Sequence, residues 1–350
     1  MPAELRADHV WLPDEGEASR LYNKGAFGLP QPQGALQLDL LEAAHLVEDG
    51  KLDVQRSGAA VPLQELLALG TRLDAAFETR WLAYRDLRKR GYIVKAGAPP
   101  ERPDFHVYPR GGFPGRTPSS HEVRAVGERG TFDLDALLRD AAEAQKFGKR
   151  LLLAIVDEEG DITYYDANAR EPRGDAAPRE RDLKGQEAQV LRDRAVVWSP
   201  ALGAALHGQE FLGRPMGDAL QLSLTEALWL AEERGLALRD AASGKAMGAS
   251  DLAARAAKLQ REFALRYAAY RALRARGLVV KTGFKYGTHF RAYTGNPAKG
   301  HAEFLVHALP EAFTCPWPDI AGVVRLAHSV RKTLLFVSGD RVLALERARP

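Results

Sequence analysis

The chain has 350 residues, of which 45% are hydrophobic and 27% charged, with a formal net charge of +3, so it is large enough for two domains and ordinary for a globular protein. This mild positive balance permits a nucleic-acid partner without demanding one. The single cysteine, Cys315, excludes an intramolecular disulfide, and no apolar run reaches the roughly 18 residues of a membrane span or a signal-peptide core. We therefore expect a soluble cytoplasmic protein.

Two segments of the first half of the chain recur in the second half. Residues 34–46 reappear with changes at 218–230, and residues 80–97 reappear at 266–283. The separation between the two copies of each segment is far longer than one solenoid repeat, so it indicates a duplicated domain rather than a solenoid. We place a first repeat at residues 1–175 and a second at 190–350.

The first repeat ends in a predicted strand pair with an acidic turn. The strands cover residues 151–156 and 162–165, and the turn between them carries the four acidic residues Asp157, Glu158, Glu159 and Asp161. The corresponding turn of the second repeat, residues 338–341, has one acidic residue. A solvated hairpin turn is the ordinary alternative. Residues 166–193 follow, and their charged, Gly- and Pro-containing composition predicts an exposed connector.

The second repeat opens with a predicted strand at 195–199 and a helix at 223–234. Ser223 is placed to cap this helix, and Glu226, three residues later, completes a capping box. A longer helix is predicted for residues 250–276 because its apolar residues keep helical spacing up to Gly277.

The remainder of the second repeat predicts a mixed sheet. Its β-branched and aromatic runs predict strands at 278–281, 290–293, 304–307, 334–337 and 342–345, and helical spacing predicts a helix at 319–332. The predicted fold class is therefore α/β (α+β), as a tandem duplicated unit. Each copy has a small helical/β N-terminal half and a C-terminal half with a mixed sheet.

Three side chains at the ends of these elements could share one reaction. Tyr293 and His301 suit proton transfer, and Lys332 suits charge stabilisation. Arg325 lies seven positions before Lys332, so both would share one face of the predicted helix. The alternatives are a solvated basic helix face, a packed tyrosine and an ordinary polar histidine.

Signatures of other enzyme classes are missing from the sequence. It has no G-x-x-x-x-G-K-[ST] phosphate loop, no G-x-G-x-x-G after a predicted strand, and no serine nucleophile elbow. The histidines and the cysteine show no His-Glu-x-x-His or Cys-x-x-Cys spacing. We therefore expect no metal site and no cofactor.

Three segments of the second repeat closely resemble the archaeal tRNA-splicing endonuclease. They are residues 276–293, 301–306 and 324–332. The resemblance extends over the whole chain and is closest to the homodimeric, two-repeat form of that family. It implies a nuclease-like C-terminal half in each repeat and a precursor tRNA substrate with a bulge–helix–bulge, cut at its intron boundaries.

The resemblance also implies the roles of the three candidates. Tyr293 would be the general base for a ribose 2′-OH, His301 the general acid for the leaving 5′ oxygen, and Lys332 the cation that stabilises the phosphate. RNA supplies its own nucleophile, so positioned proton transfer and electrostatics suffice without a metal. The products would be a 2′,3′-cyclic phosphate and a 5′-OH.

Further roles come from the same resemblance. Arg325 and Arg347 match two arginines that stack on either side of a bulged base, which a planar guanidinium suits. The acidic turn of the first repeat matches a loop that inserts into a basic cleft of the opposite subunit, so the expected assembly is a homodimer with two active sites.

The first repeat departs from the catalytic pattern. It keeps Tyr108, His121 and Lys149, but Tyr108 and His121 are further apart than Tyr293 and His301. The position seven before Lys149 is an alanine, where the second repeat has Arg325, and residues 97–103 replace the glycine-rich approach to Tyr293. We expect this repeat to be structural.

Two other functions are possible alternatives that the sequence favours less, because the three candidate residues of the second repeat are all present and no acidic metal cluster accompanies them. One is a non-catalytic RNA-binding subunit of a splicing assembly, which would need a broken triad. The other is a metal-dependent DNA nuclease of the broader fold family, which would need an acidic metal cluster beside a lysine.

Overall fold

The computed structural model describes residues 2–97, 103–176 and 182–350. The chain forms two compact units, one of residues 1–168, 314–321 and 346–350, the other of residues 169–313 and 322–345. These limits differ from the predicted repeats because two short segments of the second repeat pack within the first unit. In the described part of the chain, no helix has the length and apolar character needed to cross a bilayer.

The N-terminal half of the first unit is a six-stranded sheet with three helices. In chain order the elements are β1 Ala3–Leu5, β2 His9–Leu12, α1 Glu15–Gly25, β3 Leu29–Pro30, β4 Leu36–Asp39, α2 Leu40–Glu48, β5 Val54–Arg56, β6 Ala59–Ala60 and α3 Leu63–Leu73. The strand order is β3-β4-β2-β1-β5-β6.

The C-terminal half of the first unit carries a mixed sheet. Its elements are α4 Phe77–Lys89, β7 Ile93–Ala96, β8 Phe105–Tyr108, β9 His121–Gly127, β10 Thr131–Asp133, α5 Leu134–Lys146, β11 Arg150–Val156 and β12 Ile162–Ala169. The order β7-β8-β9-β11-β12 has β9 and β11 parallel, and the other neighbours described in it are antiparallel.

The second half of the chain repeats both patterns. Its N-terminal half contains β13 Glu187–Val190, β14 Arg194–Val197, α6 Pro200–Glu210, β15 Arg214–Met216, β16 Ala219–Ser223, α7 Leu224–Arg234, β17 Ala237–Asp240, β18 Ala246–Met247 and α8 Ala249–Leu259. Then come α9 Phe263–Ala275, β19 Val279–Thr282, β20 Phe290–Tyr293, β21 Phe304–Ala308, β22 Thr314–Pro316, α10 Trp317–Ser329, β23 Thr333–Ser338 and β24 Arg341–Ala348. The strand orders β15-β16-β14-β13-β17-β18 and β19-β20-β21-β23-β24 match those of the first half. The predicted duplicated α/β fold is confirmed.

A buried glutamate–lysine pair joins the two halves of each copy. Glu226, the capping-box residue of α7, accepts a hydrogen bond from Nζ of Lys281 in β19 at 3.1 Å. Glu42 and Lys95 form the corresponding pair in the first copy at 2.6 Å. The predicted capping box of Ser223 and Glu226 is confirmed. Glu226 also has a second role, because its bond to Lys281 holds the helical half against the sheet.

Two predicted helices have different limits in the structure. The helix expected at 250–276 is two helices, α8 and α9, because Glu262 adopts a left-handed backbone with φ of 59°. Apolar spacing continues across the break, so periodicity alone misses it. The helix expected at 319–332 is α10, which ends at Ser329. Lys332 therefore does not share a helix face with Arg325, as the spacing had predicted.

The expected connector at 166–193 is also more ordered than predicted. Strand β12 extends to Ala169, and β13 begins at Glu187 and pairs with β14 and β17. Backbone pairing with neighbouring strands outweighs the polar composition at both ends. Residues 177–181 of this segment, and residues 98–102 of the altered approach in the first repeat, lie outside the described residues.

Candidate active site

Strand register brings Tyr293, His301 and Lys332 to one edge of the second unit's sheet. Ala292 of β20 lies opposite Phe304 of β21, and Phe304 is in register with Thr333 of β23. Tyr293 follows Ala292 at the end of β20, Lys332 precedes Thr333 at the start of β23, and His301 lies three residues before Phe304, where β21 begins. All three line a pocket of about 460 Å³.

The end of α10 places Lys332. Its backbone N–H donates to the carbonyl oxygen of Ala327 at 2.9 Å, and the preceding residue, Arg331, has a left-handed φ of 55°. This Schellman-type ending turns the chain directly into β23. The Nζ of Lys332 then donates to the carbonyl oxygen of Ala302 at 2.5 Å.

His301 lies on an exposed loop whose two ends are tied together. The carboxylate of Glu303 accepts hydrogen bonds from the backbone N and from Oγ1 of Thr294, both at 3.0 Å. The N–H of Thr333 donates to the carbonyl oxygen of Glu303 at 3.0 Å. These bonds anchor both ends of the loop that follows Tyr293. The solvent-accessible imidazole of His301 therefore projects from a loop with fixed ends.

Tyr293 is 7% exposed, and burial raises the pKa of its hydroxyl above the usual value near 10. The guanidinium of Arg291, 5.8 Å from the centre of the Tyr293 ring, acts in the opposite direction. A neighbouring cation favours the phenolate form of a tyrosine. In the structure that cation is Arg291, and burial outweighs it.

Sequence reasoning missed Arg291, Tyr286 and Lys299, which line the same pocket. Arg291 precedes Tyr293 by two residues on one strand, so the two side chains share a face. That alternation was a signal available in the sequence. The Nε of Arg291 is buried without a hydrogen-bond partner in the described structure. The Nζ of Lys332 is 5.9 Å from the centre of the Tyr286 ring.

The other predicted residues have different surroundings. Arg325 on α10 and Arg347 on β24 are both exposed, and they belong to the second and first unit respectively.

In the acidic turn, Oδ1 of Asp157 accepts the backbone N–H groups of Glu159 and Asp161 at 3.0 and 2.9 Å. Glu158 accepts a hydrogen bond from exposed Arg129 at 2.8 Å. Asp157 therefore shapes the turn, while Glu158, Glu159 and Asp161 are exposed.

The first copy keeps the three residue types with altered partners. Tyr108 ends β8, His121 begins β9 and Lys149 precedes β11. The ammonium of Lys149 contacts Oε1 of Glu122 at 3.0 Å, so its charge is neutralised by a carboxylate. His121 is within 2.9 Å of Oγ of Ser120, and burial lowers its pKa.

Comparison with known proteins agrees with this duplicated arrangement. The N-terminal domain of tRNA intron endonuclease matches residues 1–67 and 186–253, and its catalytic C-terminal domain matches residues 77–164 and 263–342. The tRNA-splicing endonuclease of Methanosarcina mazei is 36% identical over all of this chain and 98% of its own length. That of Haloferax volcanii is 35% identical over 97% of this chain and 96% of its own. The chain belongs to the tRNA intron endonuclease family of enzymes, with both family domains present twice.

Proposed function

We propose that this enzyme removes introns from precursor tRNA by cutting at a bulge–helix–bulge, with the second repeat as the catalytic one. The observation that carries the proposal is the pocket that Tyr293, His301 and Lys332 share. Bulge nucleotides are unstacked, so their 2′-OH groups can reach the in-line geometry that a helical RNA prevents.

The reaction needs one proton removed and one supplied. Tyr293, as the phenolate, takes the proton of the ribose 2′-OH, and that oxygen attacks the adjacent phosphorus. The bond from phosphorus to the 5′ oxygen breaks while His301 donates a proton to that oxygen. The products are a 2′,3′-cyclic phosphate and a 5′-OH.

Charge stabilisation comes from the cations around these two groups. The ammonium of Lys332 keeps donors free beyond its bond to a carbonyl, and the guanidinium of Arg291, which lines the same pocket, adds a second positive charge near the phosphate. Among the described lining residues of the pocket there is no carboxylate. A donor set of phenol, imidazole, ammonium and guanidinium is suited to metal-independent chemistry rather than to holding Mg²⁺.

Substrate recognition extends to exposed arginines. Arg325 and Arg347 stack on a bulged base in this proposal, since a guanidinium plane accepts any base. Both side chains are exposed, as such contacts require. The acidic turn at 157–161 docks on the basic catalytic repeat of a second copy, which gives a cytoplasmic homodimer with two active sites.

A cleavage assay in EDTA tests the function. A bulge–helix–bulge RNA should be cut at the intron boundaries in EDTA, leaving 2′,3′-cyclic phosphate and 5′-OH ends. A 2′-deoxy nucleotide at one scissile position should abolish cutting at that position and leave the other site as an internal control. A strict Mg²⁺ requirement or 3′-OH products would exclude the mechanism. Binding without cutting would identify a non-catalytic RNA-binding subunit.

A further inference from the structure

The first unit contains a pocket of about 570 Å³ formed by α1, α2 and the end of α4. Its lining is strongly basic for its size. Five cationic side chains line it, against the single carboxylate of Asp49: Arg20, Lys24, Lys51, Arg88 and Lys89. The proposed catalytic residues are not among its lining residues, so this basic pocket needs an explanation of its own.

Arg88 supplies the innermost charge of this basic pocket. Its guanidinium stacks on Phe27 at 3.8 Å from the ring centre, and its Nη2 donates to the carbonyl oxygen of Gly25 at 2.9 Å. The other terminal nitrogen, Nη1, is buried and has no hydrogen-bond partner among the described residues. A stacked guanidinium with an unused donor is arranged to receive an oxyanion.

A group of possible metal ligands lies beside the basic pocket: His45, Glu48 and Asp49, whose ligand atoms lie within 4.8 Å of one another. Of these three, His45 and Asp49 line the pocket. Both carboxylates are already paired. Oε1 of Glu48 is 2.7 Å from Nη2 of Arg85, and Oδ2 of Asp49 is 2.8 Å from Nζ of Lys51. These cations oppose a divalent metal, so the surroundings favour an anion.

At the mouth of the basic pocket, few carboxylates lie close enough to neutralise the cations. Arg20 and Lys24 are one turn apart on α1. Arg20 contacts Glu17 at 3.5 Å, but both side chains are about half exposed, so this pair is weak. Within the described chain no carboxylate oxygen lies within 4 Å of Nζ of Lys24. This positive charge is available to a ligand.

Comparison of the two copies shows that the shared fold does not require this pocket. The copies can be aligned at the left-handed residues that end α1 and α6, Ala26 and Phe211. This alignment pairs Arg20 and Lys24 with Ala205 and Gln209. The repeated segments, 34–46 with 218–230 (continued to residue 51) and 80–97 with 266–283, pair Lys51 and Lys89 with Gly235 and Ala275. Four of the five cations therefore correspond to uncharged residues in the second copy.

One larger side chain occupies the corresponding interior of the second copy. His45 corresponds to Trp229, and Arg88 corresponds to Arg274, which is 1% exposed and lies 5.1 Å from the Trp229 ring centre. In the first copy the smaller imidazole accompanies a half-buried arginine that lines an open pocket. The copy that we interpret as structural therefore has four cations where the second copy has uncharged residues, and an imidazole where the second copy has an indole.

We propose that this basic pocket binds a phosphodiester group of the RNA substrate, so that the first repeat contributes an RNA contact remote in sequence from the catalytic residues. The assignment rests on the proposed function, which supplies the polyanion. Arg88 holds the phosphate oxygens, and Arg20 and Lys24 lie along the path of the backbone entering the pocket.

The test is the salt dependence of RNA binding. A bulge–helix–bulge RNA with 2′-deoxy nucleotides at both scissile positions is titrated with wild type and with Arg20→Ala/Lys24→Ala, both alanines being compatible with helix α1. Because each lost phosphate contact reduces the log–log salt slope by about 0.7–0.9, we expect a drop of about 1–2 and an affinity loss of roughly 3- to 30-fold at low salt. The control Arg72→Ala/Lys146→Ala removes two exposed helix cations of the same unit and should keep the wild-type slope.

The outcomes separate the two proposals. Wild-type cleavage of the unsubstituted RNA is measured in parallel, and its absence would refute the proposed function. If wild type cleaves but the pocket variant keeps the wild-type slope and affinity, the pocket does not bind RNA. A further arm measures melting temperature in sodium tripolyphosphate at constant ionic strength. A rise that the pocket variant loses, with unchanged RNA binding, would assign the pocket to a free polyphosphate and overturn the RNA assignment.

Discussion

The ammonium of Lys332 donates a hydrogen bond to the backbone carbonyl of Ala302, the residue after His301, at 2.5 Å. The corresponding lysine of the first copy, Lys149, contacts the carboxylate of Glu122 at 3.0 Å. A carbonyl positions the ammonium and leaves its full charge, whereas a carboxylate cancels it. This difference indicates which copy can stabilise a reacting phosphate.

Lys332→Ala should lower the single-turnover cleavage rate by roughly 10²–10³, the usual loss on removing one preorganised electrostatic contact. Lys149→Ala should change the rate less than about threefold, since its charge is already paired. Both rates are measured at saturating RNA. Similar losses in the two variants would mean that the working repeat is misassigned.

His301→Ala should slow cleavage by roughly 10²–10⁴, the contribution of a positioned general acid. His121→Ala is the matched control, because it removes the corresponding imidazole of the first copy and should leave the rate nearly unchanged. An RNA with a 5′-thio leaving group, which needs no protonation, should restore much of the rate to His301→Ala. Failure of that rescue would argue against His301 as the acid.

The pH dependence of cleavage should report the raised pKa of Tyr293. The profile is measured with His301→Ala and the 5′-thio RNA, because in wild type the loss of the protonated acid with rising pH would offset the gain of phenolate. A base whose pKa is raised above its usual value is mostly protonated at neutral pH, so the cleavage rate of this combination should rise with pH. Arg291 favours the phenolate, so Arg291→Gln should raise the pKa of Tyr293 further and move the rising limb to higher pH. An unshifted profile would show that Arg291 does not act through Tyr293.

The cap of α2 should make stability pH-dependent. Burial and the neighbouring Glu42 raise the pKa of Asp39 to about 7. Because the folded pKa exceeds the unfolded one, the folded chain binds more protons, and the free energy of unfolding falls as pH rises between about 4 and 7. The second copy has Ser223 at this position, so Asp39→Ser keeps a cap.

Urea unfolding at pH 5 and pH 8 checks this prediction. The wild type should lose more stability between these values than Asp39→Ser does. Ser223→Ala is the control, since it removes a cap that carries no charge and should lower stability by about 0.5–2 kcal/mol at both pH values. An equal pH response of wild type and Asp39→Ser would contradict the raised pKa.

Much of the fold could be predicted from the sequence, because the same pattern of elements occurs twice in the chain. Short strands and the capped helix at Ser223 are local patterns, and they agree with the structure. The break at Glu262 was not predictable from spacing, because apolar residues on both sides serve one core. The spacing predicted a helix through Lys332, because no residue pattern indicates that Arg331 adopts a left-handed backbone and that the helix ends before it.

The sequence predicted which residues form the candidate site, but it did not predict their ion pairs or the pKa of Tyr293. Tyr293, His301 and Lys332 are recognisable from motifs, and strand register explains why they meet. The pKa of Tyr293 depends on how deeply the ring is buried and on where the Arg291 guanidinium lies. Both are three-dimensional properties. The pairing of Lys149 with Glu122 likewise appears only when β9 and β11 are side by side.

The last prediction concerns the acidic turn and the proposed homodimer. Asp157 accepts two backbone hydrogen bonds of its own turn, so charge reversal there would disturb the local fold as well as an interface. Replacement by amides of the same shape removes the charge and keeps the acceptor oxygen. The variant is Asp157→Asn, Glu158→Gln, Glu159→Gln and Asp161→Asn.

This amide variant should fold with the wild-type far-UV circular dichroism but sediment as a monomer with little cleavage activity, because the attraction to a basic partner surface is lost. Four exposed acids outside the turn provide a control with the same change in net charge: Glu78→Gln, Glu143→Gln, Glu171→Gln and Glu311→Gln. The control should sediment as the dimer that we expect for wild type, which excludes a general charge effect. The turn would be only a solvated hairpin if the amide variant remained an active dimer, since its exposed carboxylates would then contribute nothing to assembly.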